Sequence, residues 1–424
     1  MTQGDGWHRV HPLSPAVRAG RALIAIVIIF VPTLASGGSK GTDAIVHAVI
    51  AGVLLALGVV YWLVTRWRID GGDLRIETGL LRRSSQRYPL SQVQAIDTVR
   101  PGLARIFGLA ELRLRMGGTG GAARLAYLPV QQAEELRGRL LALSRGAHED
   151  TPEPSADHVL EVHTGRLVGS IVLGSRTLVL VAYLLAFGIA LEVHSMVLTG
   201  FTRGAFVIVV GDVVAIWRVF NRGYRATIAT APEGLRVRAG LVETVAETIP
   251  QGRVQAVRLL EPILWRPFGW CRVDVDLAGE VRQHGDERRS GRQLRSVLPV
   301  GTRAEAEQLL AILVPDAPAP KGRPPRRARW KSPLRYRRLS YGYDERYVVA
   351  TTGRLIKVCT WVPLTKVQSL RRIEGPVQRA LRVATLHLDT AGKNVSAALR
   401  DIDAGELRVH LDGLTELARA ARHT

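Results

Sequence analysis

Residues 79–108 read GLLRRSSQRYPLSQVQAIDTVRPGLARIFG, and this stretch decides the fold because its landmarks return twice along the chain. Gly79 is followed at fixed distances by Pro89, by Val93-Gln94 and by Phe107-Gly108. The same offsets separate Gly240, Pro250, Val254-Gln255 and Phe268-Gly269, and then Gly353, Pro363 and Val367-Gln368, after which Leu381-Arg382 replaces the last pair. Shared spacing of this kind indicates one small domain used three times.

Each copy has the pattern of a small antiparallel β domain closed by one helix. Short alternating runs rich in β-branched residues, such as LRVRAGLV and YVVATTGRL, predict strands around the glycine. The later runs LRLRM, VDVDL and LHLDT alternate as half-buried antiparallel strands do. Each copy ends in an amphipathic helical pattern, over Val130–Leu143, Ala304–Val314 and Leu407–Ala421. We therefore expect three small β-barrels or curled sheets, each capped by a C-terminal helix.

Apolar residues, 47% of the 424-residue chain, are concentrated in four segments that carry little charge. A helix of ~20 residues crosses the ~30 Å hydrocarbon layer of a membrane. The segments are Ala22–Ala35, Ala44–Thr65, Leu167–Leu191 and the weaker Ala205–Phe220. They predict four transmembrane helices in two hairpins. The first segment contains Pro32 and also fits a secretory signal peptide, so that alternative stays open.

Two charged residues, Arg176 and Asp212, fall inside the second predicted hairpin. A lone charge in a bilayer is costly, so each needs a partner or a position near the membrane surface. At ~1.5 Å per helical residue both would lie at a similar depth, which makes an ion pair between them geometrically feasible. The alternative is that Arg176 extends to the headgroups and that Asp212 lies among them.

Lysine and arginine flank the predicted spans on one side. Arginines precede the first and third spans and follow the second and fourth, whereas the turns inside the hairpins hold only Lys40 and Arg203. The positive-inside rule then predicts a multi-pass protein of the bacterial cytoplasmic membrane, with both termini and all three modules in the cytoplasm. Cys271 and Cys359 fit that reducing compartment.

The chain carries 58 Lys and Arg against 37 Asp and Glu, a net charge of +21, which favours a polyanionic neighbour. The positive residues are densest in a proline-rich segment, 315–335, which we expect to be an extended spacer. A second cluster follows Gly79. The candidate contacts to anionic headgroups are Arg82, Arg83, Arg87, Lys321, Arg323, Arg326, Arg327, Arg329, Trp330 and Lys331. A solvated, flexible linker is the alternative interpretation of residues 315–335.

These patterns divide the chain into predicted segments. Residues 1–21 form a cytoplasmic N-terminal segment, and the two hairpins cover residues 22–65 and 167–220. The modules cover residues 66–145, 221–314 and 336–424. The linker at 146–166 is acidic, and the linker at 315–335 is basic.

The Pro-Leu-x-x-Val-Gln segment, the turn at Pro101–Leu109 and the flanking apolar hairpins resemble the bacterial pleckstrin-homology-like (PH-like), membrane-flanked domain family. The resemblance covers nearly the whole chain, although the second copy departs from it at Glu261–Gly269 while keeping the spacing. It implies PH-like barrels attached to the bacterial cytoplasmic membrane and no established enzymatic activity, and it does not imply phosphoinositide binding. The expected fold class is an α+β membrane protein: four transmembrane helices in two hairpins, plus three PH-like small β-barrels, each with its capping helix.

No catalytic motif appears in the sequence. It lacks a phosphate-binding P-loop, a His-Glu-x-x-His metal pair, a Gly-x-Ser-x-Gly elbow and an EF-hand loop, so we expect no enzyme, no cofactor and no metal. Nucleic acid explains the charge poorly, because aromatics are 6% and no recognition-helix pattern occurs. The expected function is a non-enzymatic scaffold or accessory factor whose partners are anionic membrane lipids or a protein, such as a related membrane PH-like protein. The alternative is a small transport or export component that uses Arg176, Asp212 and His47.

Overall fold

The structure, a computed structural model, describes residues 63–423 apart from 71–72, 79–83, 101, 117–122, 145–156, 193–197, 232–233, 279–294, 393–394 and 396, together with residues 6–9, 11–12, 14, 49, 52–53, 56 and 59–60. The chain forms two compact units. The first comprises Met1–Ala156 with Gly240–Thr248, and the second comprises Asp157–Ala239 with Ile249–Thr424.

The first unit contains two antiparallel sheets within its described residues. One has the order β1 (His8–Arg9), β2 (Arg66–Asp70), β3 (Asp73–Thr78) and β4 (Ser84–Pro89). The other contains β5 (Val93–Arg100), β6 (Leu109–Met116) and β7 (Ala123–Pro129), with α1 (Gly102–Ile106) between β5 and β6. Helix α2 (Val130–Ser144) follows β7. Leu90 of the Pro-Leu motif lies in a 3-10 turn between the two sheets. Together with Leu140 of α2 it belongs to a core that contains side chains from both sheets.

The second unit begins with a strand and three helices. These are β8 (Asp157–Glu161), α3 (Thr164–Val172), α4 (Ser175–Glu192) and α5 (Leu198–Gly223). Strands β9 (Thr227–Ala231) and β10 (Gly234–Ala239) follow, and β9 pairs with both β8 and β10. The next strand, β11 (Thr244–Ile249), lies mostly in the first unit, where residues 244–246 pair with β5.

A six-stranded sheet joins the second and third modules inside the second unit. It contains β12 (Val254–Pro262), β13 (Trp270–Leu277), β14 (Arg295–Thr302), β15 (Ser340–Tyr343), β16 (Tyr347–Thr352) and β17 (Ile356–Pro363), in the spatial order β14-β13-β12-β17-β16-β15. Helix α6 (Arg303–Leu313) follows β14 and buries Ala306 and Leu309. The antiparallel pair β12–β17 therefore connects the two modules through backbone hydrogen bonds.

The third module adds its own sheet and closing helix. Strands β18 (Val367–Ile373), β19 (Val383–Thr390) and β20 (Ala397–Asp403) pair in that order, with α7 (Pro376–Ala380) between β18 and β19. Helix α8 (Glu406–His423) buries Leu407, Leu414 and Ala418 against this module. The amphipathic pattern of the sequence thus provides the face that packs on the core.

The repeated glycine has a steric reason in the second and third copies. Gly240 has φ +127° and Gly353 has φ +100°, conformations that residues with a side chain rarely adopt. A Cβ atom would lie 1.9 Å from the carbonyl oxygen of Glu243 at the first position and 1.8 Å from that of Ile356 at the second. The tight turn before the third strand of the second and third modules therefore requires glycine.

The prediction of four transmembrane helices is wrong. Among the described residues no single helix is both long enough and apolar enough to cross a membrane, and only the pair Thr164–Val172 and Ser175–Ala186, bent by 50°, meets the two criteria together. The first helix of that pair packs into a protein core. Leu167 is buried, Trp270 packs on Gly169, and the Trp265 indole N–H donates to the carbonyl of Ser170 at 3.2 Å. Most of the first predicted hairpin, with its signal-peptide alternative, lies outside the described residues.

Candidate lipid-binding surface

The basic linker, residues 315–335, is folded onto the third module. Gly322 forms a β-bridge with Tyr341, and a 3-10 turn at Arg326–Trp330 buries the small side chain of Ala328. The structure thus differs from the extended spacer that the proline content predicts. The linker is ordered because the third module supplies partners for its backbone and for two of its cations.

Lys331 anchors the linker through a buried carboxylate. Its Nζ lies 2.5 Å from Oδ1 of Asp401, a residue that is only 2% exposed. The Ser332 hydroxyl donates to the other carboxylate oxygen at 3.1 Å, and the Gln378 side-chain amide donates to Oδ1 at 2.8 Å. A buried carboxylate with these partners holds Lys331 in place.

Arg327 makes the second anchor. Its Nε donates to the carbonyl of Leu381 at 2.7 Å, its Nη2 donates to the carbonyl of Arg382 at 3.1 Å, and the guanidinium pairs with Asp403. The hydrogen bond from the Gly405 N–H, and after it the one from Arg327, hold the pKa of Asp403 below its ordinary value. Arg327 and Lys331 therefore bind protein groups rather than pointing freely into solvent.

The other predicted contacts of the linker face solvent. Trp330 is 73% exposed, with the Arg329 guanidinium carbon 5.5 Å from its ring centroid, and the apolar Leu334 is 61% exposed. Lys321, Arg323 and Arg326 are exposed as well. We call Lys321, Arg323, Arg326, Arg329, Trp330 and Leu334 the linker surface. It combines positive charge with two apolar side chains, the composition that suits an anionic membrane interface.

The predicted cluster of the first module is only partly described. Arg87 is exposed on β4, and Arg82 and Arg83 lie outside the described residues. Lipid contact by these three arginines stays a prediction.

The structure describes both members of the predicted pair Arg176 and Asp212. Arg176 is exposed near the start of α4, and Asp212 is half-buried within α5. No ion pair between them occurs among the described residues. Their pairing stays a prediction without support from the geometry.

Sequence reasoning missed the acceptors that fix the linker, Asp401 and Asp403, and the exposed Leu334. The contact of Lys331 with Asp401 joins residues 70 positions apart, so no local pattern marks it. The one available signal was Ala328, a small apolar residue among arginines in a segment treated as solvated. As for metal binding, no cluster of three or more His, Cys, Asp or Glu side chains suited to an ion occurs in the part of the chain that the structure describes.

Comparisons with known proteins agree with the modular architecture. The bacterial PH domain family matches three stretches, residues 22–144, 167–315 and 310–414. The UPF0699 transmembrane protein YdbT of Bacillus subtilis (strain 168) is 22% identical over 293 residues. That alignment covers 62% of this chain and 59% of the relative, so the chain spans about three fifths of the length of the curated relative it matches. The family matches cover most of the chain and confirm the resemblance seen in the motifs: the chain belongs to the bacterial PH domain family.

Proposed function

We propose that this protein is a non-catalytic scaffold that associates with the bacterial cytoplasmic membrane and binds anionic lipid headgroups through the linker surface. Two facts support a membrane location: the name of the Bacillus relative describes a transmembrane protein, and the net charge is +21. PH-like modules are generally non-catalytic, and the fold here serves to hold a binding surface.

One observation carries the proposal. The cations of the linker fall into two groups: Arg327 and Lys331 bind carboxylates of the third module, whereas Arg326 and Arg329 face solvent on the same short segment. The neighbouring ring of Trp330 faces solvent as well. The anchors fix the segment before any ligand arrives, so less conformational entropy is lost on binding.

The strength of the interaction follows from charge and interfacial burial. Each Lys or Arg held near an anionic surface contributes about 1 kcal/mol, and that contribution falls with salt. Trp330 adds a ring of the kind that concentrates at the membrane interface. Four cations with one tryptophan therefore give a binding that is reversible and sensitive to ionic strength.

The test uses the full chain with vesicles of phosphatidylglycerol and phosphatidylcholine, compared with vesicles of phosphatidylcholine alone. The triple variant R326A/R329A/W330A should bind the anionic vesicles at least about tenfold more weakly than the native chain, since about 2 kcal/mol of headgroup attraction is lost. The control R408A/V409A/R419A removes two exposed arginines and one exposed apolar side chain from α8. Equal binding by the two triple variants would refute the linker surface as the lipid contact.

A further inference from the structure

Neighbouring modules are joined in the same way at two places in this chain. At the first junction the third strand of module two, β11, pairs with β5 of module one, and at the second junction the third strand of module three, β17, pairs with β12 of module two. The facing residues are Thr98 with Ala246, Val99 with Val245 and Arg100 with Thr244, and then Leu259 with Cys359, Leu260 with Val358 and Glu261 with Lys357. When the repeats are aligned on their glycines, the two sets occupy identical positions. The same strand pairing, in the same register, therefore joins neighbouring modules at both junctions.

An arginine of the repeat motif crosses each junction. Arg105 donates from Nη1 to the carbonyl of Leu241, and Arg266 donates from Nη2 to the carbonyl of Arg354 at 3.3 Å. Donors and acceptors again occupy equivalent positions in the repeats. The third arginine of the series is Arg379 in α7, which is exposed. Its guanidinium has no hydrogen bond or ion pair within the described residues.

Among the described residues, the strand beside Arg379 has one edge without a partner strand. At the first junction Val99 is 1% exposed, whereas its equivalent in module three, Ile373, is 41% exposed. Strand β18 pairs with β19, and its other edge has no strand partner in the described part of the chain. An open edge offers unpaired backbone N–H and C=O groups to another strand.

The complementary half of the junction likewise has no partner strand among the described residues. Strand β4 is the third strand of module one, equivalent to β11 and β17. It pairs with β3, and its second edge also lacks a strand partner as far as the structure describes it. One chain thus presents both halves of a junction that it forms twice internally.

We propose that β18 of one chain pairs with β4 of a second copy, in the register of the two internal junctions. Ile373 would face Ser84, and Arg372 would face Ser85. Arg379 would cross the contact between copies as Arg105 and Arg266 cross the internal junctions. The contact is an antiparallel strand addition between copies.

The charges of the two edges permit this pairing. Arg371 would face Gln86 and Arg87 would face Leu370, so no two positive residues stand directly opposite. Arg371 is also neutralised by Asp389, 2.5 Å from its Nε.

The contact between copies lacks one hydrogen bond of the internal junction. At the second junction the N–H of Ile263 donates to the carbonyl of Leu355 at 2.7 Å. The residue equivalent to Ile263 in the third module is Pro376, which has no N–H to donate. The contact between copies is therefore weaker than the contact within a chain and depends on concentration.

A contact that uses different surfaces on the two copies is heterologous. Repetition of such a contact closes a ring if the rotation permits it and otherwise extends as a chain. The assembly would place the linker surfaces of several copies together, which increases avidity for a membrane. The proposal nevertheless does not depend on lipid binding, because every contact in it is between proteins.

The first test is a register-specific disulfide between two differently tagged full chains produced together. One carries I373C or R372C and the other carries S84C or S85C; the two native cysteines are buried. Opposed residues in an antiparallel pair alternate between two geometries, so one of the matched pairs, 373 with 84 or 372 with 85, has the closer approach that suits a disulfide. The mismatched pair, 373 with 85, puts the side chains on opposite faces.

We expect mild oxidation to give a cross-linked heterodimer from at least one matched pair, in at least about fivefold higher yield than from the mismatched pair. The alternation of faces in a β-strand sets this contrast. Equal yields from matched and mismatched pairs, or no cross-link from either matched pair, would overturn the proposal.

The second test measures the size of the purified full chain in mild detergent by analytical ultracentrifugation. The variant R379A should shift the assembly toward the monomer, with at least about a fivefold rise in the dissociation constant for the lost charged hydrogen bond. The control R408A removes an exposed arginine of α8 and should leave the assembly unchanged. An assembly that is equally stable in both variants contradicts the proposal, whatever the result with vesicles.

Discussion

Nη1 of Arg166 lies 2.8 Å and 2.6 Å from the two carboxylate oxygens of Glu305. Arg166 belongs to α3, which precedes the second module, and Glu305 lies in the first turn of α6, which ends it. The same carboxylate accepts the Thr302 N–H at 2.8 Å, and Thr302 in turn accepts the N–H of Glu305, which completes a capping box. One side chain thus caps α6 and ties α3 to it.

This arrangement predicts acid sensitivity. Burial alone would raise the pKa of Glu305, but the hydrogen bonds from Arg166 and Thr302 outweigh burial and hold the pKa below its ordinary value. A depressed pKa means that the stabilisation is present above the unfolded-state pKa and is lost as the pH falls through the folded-state pKa. In urea unfolding of the full chain, E305Q should lose about 1 kcal/mol at pH 7 and should be less sensitive to acid than the native chain.

The matched control is E416Q, which changes an exposed glutamate of α8 that forms no hydrogen bond or ion pair within the described residues. It should unfold as the native chain does at both neutral and acidic pH. If E305Q matched this control, the Arg166–Glu305 pair would have no energetic role.

Substitutions in the two groups of linker cations should affect different properties of the chain: its stability in one group and its binding to vesicles in the other. K331M leaves the buried carboxylate of Asp401 without its cation and should lower the free energy of unfolding by about 2 kcal/mol. R326A removes an exposed guanidinium, so it should change stability by less than about 0.5 kcal/mol but weaken binding to phosphatidylglycerol vesicles. Thermal unfolding and vesicle co-flotation of the full chain measure the two effects. Equal loss of stability in both variants would remove the distinction between anchor and binding surface.

The positive φ of Gly353 predicts that an alanine there destabilises the chain, and an alanine at a control glycine should stabilise it. G353A forces a side chain into positive φ and onto the carbonyl of Ile356, so it should destabilise the chain by about 2 kcal/mol or more. G413A lies inside α8, where a Cβ atom meets nothing within 4 Å, and should stabilise the chain by about 0.5–1 kcal/mol. The midpoints of urea unfolding measure both changes. A G353A protein as stable as the native chain would show that the turn tolerates a side chain.

Local pattern accounts for what the sequence could predict. The offsets from Gly240 and Gly353 located the hairpins. The spacing did not predict the 3-10 turns of the Pro-Leu segment, in which Leu90 and Leu364 are buried. Hydropathy failed at Leu167, because an apolar helix that packs on Trp265 and Trp270 has the same composition as one that packs on lipid. The sequence did not predict the junctions between modules for another reason. Strand pairing between distant repeats produces no periodic pattern of residues in either strand.

The anchors of the linker show the same limit. Nothing near Arg327 or Lys331 in the sequence distinguishes them from Arg326 and Arg329, because all four stand in one proline-rich basic run. Their different roles come from Asp401 and Asp403, which reach them only through the fold of the third module. A composition argument can therefore predict a basic surface but not which cations remain free to bind.

The thiols of the two cysteines should be unreactive in the folded chain. Burial raises the pKa of the Cys271 thiol to about 12 and also raises that of Cys359. A raised pKa lowers the fraction of reactive thiolate at pH 8, and burial excludes the reagent as well. Iodoacetamide should therefore label neither cysteine in the native full chain and both in denaturant, as mass spectrometry would show. The exposed control cysteine in V409C, on α8, should react in the native state. Native labelling of Cys271 or Cys359 would mean that the sheet shared by modules two and three opens readily, because both residues lie in its strands.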